Sequence, residues 1–152
     1  MAIAARLKEL GIELPKVGAP LGSYVHAKRS RNLLYLSGQG PPESAGPVRG
    51  KLGAGVSVEE GYRHARAVGL VLIAAMRDAL GSDLDRSRTS SRCWGMVNAA
   101  PDLPTIHGSS TAAPICLLRC SARKGGTPAR RVGMVSLPGG IPVEIEVIVT
   151  VE

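Results

Sequence analysis

The chain contains no phenylalanine, and one tryptophan and three tyrosines supply all the aromatic rings among its 152 residues. A chain of this length suits one domain with a substantial core, which must here be built from aliphatic side chains. Scarce aromatic rings also leave few surfaces on which unpaired nucleic-acid bases could stack. Long apolar runs are missing too, because Arg66 and Arg77 interrupt the longest candidate, residues 65–80. We therefore expect neither a membrane span nor a nucleic-acid partner.

The N-terminus lacks the uninterrupted apolar stretch of a signal peptide, because Arg6, Lys8 and Glu9 lie close to its start. We therefore expect a cytoplasmic protein. In that compartment the three cysteines would stay reduced rather than form disulfides.

Acidic residues are missing from two windows, residues 87–94 and 103–131, which hold seven Lys and Arg residues, all three cysteines and the tryptophan. Since the chain has 19 basic residues in total, the remaining 12 balance its 12 acidic residues. The net charge of +7 is therefore a product of the two windows. A nucleic-acid footprint would instead be a basic stripe across one face.

The genetic code offers an origin for both windows. Codons permitted for residues 87–94, read in a shifted frame, can encode Val-Glu-Asp-Val-Val-Glu-Val-Leu, an alternating β-branched strand. Codons permitted for residues 111–130, read one base earlier, can encode an amphipathic helix that includes phenylalanine and stops at glycine. We hypothesise that both windows are out-of-frame readings of the gene. As written, they would place Arg88, Arg92 and Arg119 at positions that should face the core, each at a cost of several kcal/mol.

Hydrophobic periodicity predicts an alternation of strands and helices. The predicted elements are an N-terminal helix over 2–10, a hairpin of strands 23–28 and 33–37, a long helix over 57–80 with a Ser57/Glu60 capping box, a strand ending at 95–98, a helix in the second window, and strands 132–137 and 143–151. This order indicates an α+β fold, with a mostly antiparallel sheet and two main helices on one face. We expect a single domain, residues 1–152, in which residues 1–20 form a helical extension. Residues 68–75 are apolar almost all round, so a neighbouring subunit is one obvious cover.

Three stretches resemble one protein family: Gly22-Ser-Tyr-Val through Leu36-Ser-Gly-Gln, Gly95-Met-Val-Asn, and Ser136-Leu-Pro-Gly-Gly-Ile-Pro-Val-Glu-Ile-Glu. Their order and spacing are similar to those of the RidA/YjgF family of reactive-intermediate deaminases, also labelled endoribonuclease L-PSP, and residues 7–15 resemble its longer bacterial branch. The resemblance implies a chorismate-mutase-like (ferredoxin-like) fold and a homotrimer with ligand clefts between subunits. It further implies hydrolysis of an enamine or imine to the keto acid and ammonia, without a cofactor or a metal.

The resemblance also assigns roles to individual residues. Glu144 would be the catalytic acid that positions the attacking water. The residues that would bind the imine or carboxylate ligand are Tyr24, Ser37, Gly38 and Asn98.

The family's carboxylate-binding arginine should stand three residues before Val132, where this sequence has Ala129. In the shifted frame an arginine returns to that place. As written, Arg130 is the candidate that we assign to the ligand carboxylate, although strand alternation would point one of Arg130 and Arg131 to the wrong face and move the other by a residue or more.

Three alternatives remain open. The chain could be a noncatalytic small-molecule-binding trimer, since a fold does not fix a function. RNA cleavage is the less favoured alternative, and from pattern alone Glu144 could be a solvated strand residue. Cys93, His107, Cys116 and Cys120 do not have the spacing of a known zinc site, so we expect no metal.

Overall fold

The computed structural model of the protein describes residues 3–20, 22–46, 49–103 and 128–152. Its helices and strands in chain order are α1 (Ile3–Glu9), β1 (Ala27–Ser30), β2 (Leu33–Gln39), β3 (Lys51–Leu52), β4 (Gly55–Val56), α2 (Val58–Ala79), β5 (Ser87–Asn98), β6 (Ala129–Met134) and β7 (Val143–Val151). Five of the described strands form one sheet in the order β1-β2-β7-β5-β6, and within this sheet only the β5–β6 pair is parallel. β3 and β4 form a separate parallel pair. The predicted α+β fold with a mostly antiparallel sheet is therefore confirmed.

The first two strands form the predicted hairpin, with Arg31 and Asn32 in its turn. Arg31 has a φ of 53°, a left-handed conformation that such tight turns use. β1 begins at Ala27 rather than at Ser23, because the Tyr24 N–H donates to the Gly22 carbonyl at 2.8 Å and bends the chain there.

α2 begins with the predicted capping box. The Glu60 N–H donates to the Ser57 hydroxyl at 3.1 Å, and the Ser57 N–H donates to the Glu60 carboxylate at 2.8 Å. The helix runs for 22 residues and packs on β2 and β7. All residues from 68 to 75 except Leu70 are buried within a single chain, so a neighbouring subunit is not needed to cover them. The helix predicted in the second window falls within residues 104–127, outside the described part.

β7 lies at the centre of the sheet and alternates strictly. Its five buried residues are Val143, Ile145, Val147, Val149 and Val151, which join α2 in the aliphatic core. The residues between them lie on the other side of the sheet, together with the residues that face them across β5. We call this side the open face and define it by Trp94, Met96, Glu144, Glu146 and Ile148.

The expectation that Arg88 and Arg92 would face the core is wrong, since both side chains are exposed. Arg88 forms an ion pair with Glu152, and the Arg92 guanidinium lies 5.0 Å from the centre of the Trp94 ring. The physical reason is that the pairing of β5 with β7 shifts register twice between residues 87 and 92. Such bulges re-aim side chains and here let both cations reach solvent. Arg119 lies outside the described residues.

Five buried polar atoms find no hydrogen-bond partner in the part of the chain that the structure describes. Ser90 Oγ and Trp94 Nε1 lie in the first window, Arg131 Nε lies in the second, and Arg6 Nε and His64 Nδ1 lie outside both. An unsatisfied buried donor costs about 1–3 kcal/mol, so each of these atoms lowers the stability of the isolated chain.

No helix within the described ranges is long and apolar enough to cross a bilayer.

Candidate functional site

Glu144 and Gly38 form the centre of the candidate site. The pairing of β2 with β7 shifts register between Leu36 and Gln39, so that a bulge forms at Ser37 and Gly38. A Cβ atom added to Gly38 would lie 3.0 Å from Cδ and 3.2 Å from Cγ of Glu144. The carboxyl group of Glu144 therefore lies directly over the Gly38 backbone, in space that only glycine leaves open.

The environment of Glu144 favours its neutral form. Burial raises the pKa of the Glu144 carboxyl, and the neighbouring Glu146 raises it further. None of the described Lys or Arg side chains forms an ion pair with Glu144. A half-buried carboxyl whose pKa moves toward neutral pH is suited to take up and return a proton.

Ser37 connects this bulge to the segment that precedes β1. Its hydroxyl donates to the Val25 carbonyl at 2.6 Å, and its N–H donates to the His26 carbonyl at 3.0 Å. The hydroxyl thus holds the neighbouring loop in place. A direct contact of Ser37 with a ligand stays a prediction.

Tyr24 lies on the loop that Ser37 anchors. Its side chain is 46% exposed, and its ring stands perpendicular to that of His26 with the ring centres 6.1 Å apart. His26 is fixed on both sides, since its Nδ1 lies 3.1 Å from the Gln39 amide nitrogen and its Nε2 lies 2.8 Å from the Gly18 carbonyl. Because the amide of Gln39 donates to Nδ1, Nε2 carries the proton and donates to Gly18. The loop therefore presents Tyr24 to solvent from a rigid base.

Asn98 ends β5 and is only 3% exposed. Its Nδ2 donates to the carbonyls of Gly50 and Ile141, at 3.3 and 3.2 Å. Its Oδ1 accepts a 2.7 Å hydrogen bond from the Lys51 ammonium. The amide is thus engaged within the chain, where it ties β3 to the segment before β7. Its predicted contact with a ligand stays a prediction.

Arg130 lies on the edge strand β6, opposite Trp94, which in turn pairs with Glu146. Two strand spacings, about 10 Å, thus separate the backbones of Arg130 and Glu146 on the same face of the sheet. Arg131 points to the other face, near Cys93. Burial raises the pKa of the Cys93 thiol to about 11, although Arg131 opposes the shift. Alternation therefore selects Arg130 for the open face, where its side chain is exposed.

Lys51 is the residue that the sequence did not indicate. It begins β3, is half-buried, and donates to Asn98 and to the Val135 carbonyl. Lys51 and Asn98 are 47 positions apart along the chain. No periodic pattern connects them, and the flanking Gly50 and Gly53 gave the only local hint of a special backbone.

The structure thus brings Gly38 and Glu144 into contact, with Ser37 next to Gly38 in the same bulge, and it places Asn98 and Lys51 at the adjoining end of the sheet. Among the described residues, no three His, Cys, Asp or Glu side chains lie together as a metal site would require. His107, Cys116 and Cys120 lie outside those residues.

Several known proteins are similar to this chain over nearly its whole length. Protein TCP17 of Trypanosoma cruzi is 36% identical over 97% of this chain and 92% of its own. Among solved structures, protein Atu1372 of Agrobacterium tumefaciens, described as of unknown function, is 34% identical, with a TM-score of 0.88 over 99% of this chain and 92% of its own. No family model matches the chain.

Two further solved structures connect the chain to a family. A Shewanella oneidensis protein, described as a candidate endoribonuclease, is 26% identical with a TM-score of 0.86 over 99% of this chain and 100% of its own. RidA from an Antarctic Psychrobacter species shares the fold, with a TM-score of 0.59, 18% identity, and coverage of 91% of this chain and 98% of its own. The chain belongs to the RidA/YjgF family.

Proposed function

We propose that the protein hydrolyses reactive enamine or imine intermediates to the keto acid and ammonia, at clefts that form between the subunits of a homotrimer. The observation that carries this proposal is the Glu144 carboxyl, half-buried over Gly38, with a raised pKa and no ion-pair partner among the described residues. The resemblance assigns Glu144 to the water-positioning role, and the geometry is suited to it.

The reaction needs one group that accepts and returns a proton. A water held by Glu144 adds its oxygen to the carbon of the protonated imine while one water proton passes to the carboxylate, which gives a neutral carbinolamine. The carboxyl then returns that proton to the nitrogen. Ammonia leaves as the carbon–nitrogen bond breaks, and the hydroxyl proton passes to the carboxylate as the carbon–oxygen double bond forms. A carboxyl whose pKa is raised by burial is better suited to both transfers than an ordinary glutamate, because it holds a proton more readily.

Ligand binding in this proposal uses the residues around Glu144. Gly38 lets a ligand approach the backbone closely, and Tyr24 lines the entrance of the cleft. Ser37 and Asn98 hold the neighbouring segments in place. Arg130 is the cation on the open face that the sequence assigns to the ligand carboxylate. No metal or cofactor takes part.

The homotrimer is supported by the apolar side chains on and beside the open face. Val135 is 91% exposed in the single chain, and Tyr35 and Met134 are also exposed. Trp94, Met96 and Ile148 are half-buried on the same side. A partly apolar sheet surface of this kind is typical of a subunit contact. We place the trimer in the cytoplasm, where Cys93 stays a thiol.

A noncatalytic binding protein is the second candidate, favoured by Ala129 at the position of the family's carboxylate-binding arginine. Glu144→Gln separates the two candidates, with Glu59→Gln as the control, since Glu59 is an exposed carboxylate on α2, on the other side of the sheet. For the enzyme we expect Glu144→Gln to lower the turnover of an amino-acid-derived imine by about 100-fold or more, with little change in the control. Equal turnover in wild type and Glu144→Gln would favour the binding protein.

A further inference from the structure

Lys51 is a half-buried cation without a counter-charge. Its ammonium donates to Asn98 Oδ1 at 2.7 Å and to the Val135 carbonyl, which are both neutral acceptors. All 12 acidic residues of the chain lie in the described ranges, and none of them forms an ion pair with Lys51. An ammonium held by neutral oxygens attracts an anion, because its charge is not compensated and its third N–H donates to none of the described residues.

The position of Lys51 relates it to the candidate site. Val135 follows β6, and Asn98 ends β5, so the ammonium lies over the neighbouring ends of these two strands. Asn98 is two residues beyond Met96, and Met96 faces Glu144 across the strand pair. Two strand residues correspond to about 7 Å, so Lys51 is anchored within the reach of one small ligand from Glu144.

Arg130 is less suited to hold a small anion. Its side chain is exposed and its guanidinium forms no hydrogen bond with the described residues, so a ligand must compete with water and order a long side chain. Lys51 is already ordered by two acceptors and partly desolvated, so the same ion pair is stronger there.

We propose that Lys51 binds the carboxylate of a small 2-imino or 2-keto monocarboxylic acid, and so replaces the arginine whose place Ala129 occupies. The proposal rests on the function proposed above. In it, Lys51 holds the carboxylate end of the ligand at the strand ends, and the carbon next to that carboxylate faces the water at Glu144.

Binding of 2-oxobutanoate tests this assignment, because a keto-acid product binds whether or not chemistry occurs. We expect Lys51→Met to raise the Kd by about 10- to 100-fold, the usual loss when a charged hydrogen-bond partner is removed. Lys51→Arg, which keeps the charge, should restore most of the affinity. The matched control is Lys8→Met, at an exposed lysine on α1 outside the proposed site, and it should change the Kd by less than about threefold.

Lys51→Met could also loosen the strand ends, since it removes two hydrogen bonds. The side-chain NMR resonances of Lys51 in the wild-type protein therefore give a second measurement, and we expect them to shift on titration with 2-oxobutanoate. Unchanged affinity in Lys51→Met, a larger loss in Arg130→Met than in Lys51→Met, or resonances that do not move would each overturn the assignment.

The outcomes for Lys51 and for the proposed function are distinguishable. Binding through Lys51 without imine hydrolysis by the wild type would uphold the assignment and refute the enzyme. Imine hydrolysis with the same KM and the same Kd in Lys51→Met would uphold the enzyme and refute the assignment. A wild type that neither binds 2-oxobutanoate nor hydrolyses imines would refute both.

Discussion

Replacing Gly38 by alanine should displace the Glu144 carboxyl while leaving the fold intact. The added methyl carbon would lie 3.0 Å from Glu144 Cδ, whereas non-bonded carbon atoms settle at about 3.5–4.0 Å. Glu144 Oε1 lies closer still to that position, so the carboxyl must move by roughly 1 Å or more. Gly38 does not have a left-handed φ, so alanine adds no backbone strain.

The cost of this movement differs for stability and for catalysis. The carboxyl is the far end of a flexible, half-exposed side chain, so we expect a loss of unfolding free energy of less than about 1 kcal/mol. A displacement of about 1 Å at a catalytic group can lower a rate by about 100-fold. We therefore expect Gly38→Ala to lose about two orders of magnitude in kcat with a nearly unchanged urea midpoint.

Steady-state hydrolysis of an imine generated in situ by an amino-acid oxidase measures the rate. Gly133→Ala is the matched control, because a Cβ atom at Gly133 on β6 would meet nothing within 4 Å. Wild-type kcat in Gly38→Ala would show that Glu144 need not occupy its place over Gly38. Equal losses in both variants would indicate a general effect of alanine in these strands.

Three further predictions follow from the site, the surface and the sequence. Because folding raises the pKa of Glu144, ionised Glu144 lowers the free energy of unfolding; this loss is absent below the ordinary pKa of 4.5 and appears as the pH rises through the folded pKa. In urea unfolding, Glu144→Gln should therefore be more stable than wild type at pH 8 and equal to it near pH 4. A variant that is less stable than wild type at pH 8 would contradict this. Sedimentation at micromolar concentration should show a trimer, and a stable monomer would count against the proposed clefts. If the two basic windows are out-of-frame readings, the coding DNA will carry the shifted frame and the intact mass will depart from that of the 15.8 kDa chain, whereas agreement would reject the hypothesis.

Periodicity and capping chemistry were sufficient for most of the fold. The Ser57/Glu60 capping box and the alternation of residues 143–151 define α2 and β7 in the sequence, and the structure confirms both. The bulges were not predictable, because a register shift depends on how two distant strands pair. They explain why Arg88 and Arg92 reach solvent instead of the core.

The candidate site was only partly predictable for the same reason. The family resemblance indicated Glu144 and Gly38. The position of the Glu144 carboxyl over Gly38, however, depends on how β2 pairs with β7, which the sequence does not show. Asn98 resembled a ligand contact in sequence, yet its amide is engaged by backbone groups and by Lys51. Lys51 itself could not be found by pattern, since its partners are brought to it only by tertiary structure.

The two edge strands of the sheet each present a pair of adjacent cations. β1 carries Lys28 and Arg29, and β6 carries Arg130 and Arg131. An edge strand offers unpaired backbone groups to any similar edge, and charged side chains are a common natural defence against such pairing. If two copies met edge to edge, four positive charges would come together, and the repulsion would oppose growth of a continuous intermolecular sheet. Salt screens such repulsion over about 8 Å at physiological strength, so resistance to aggregation should weaken as ionic strength rises.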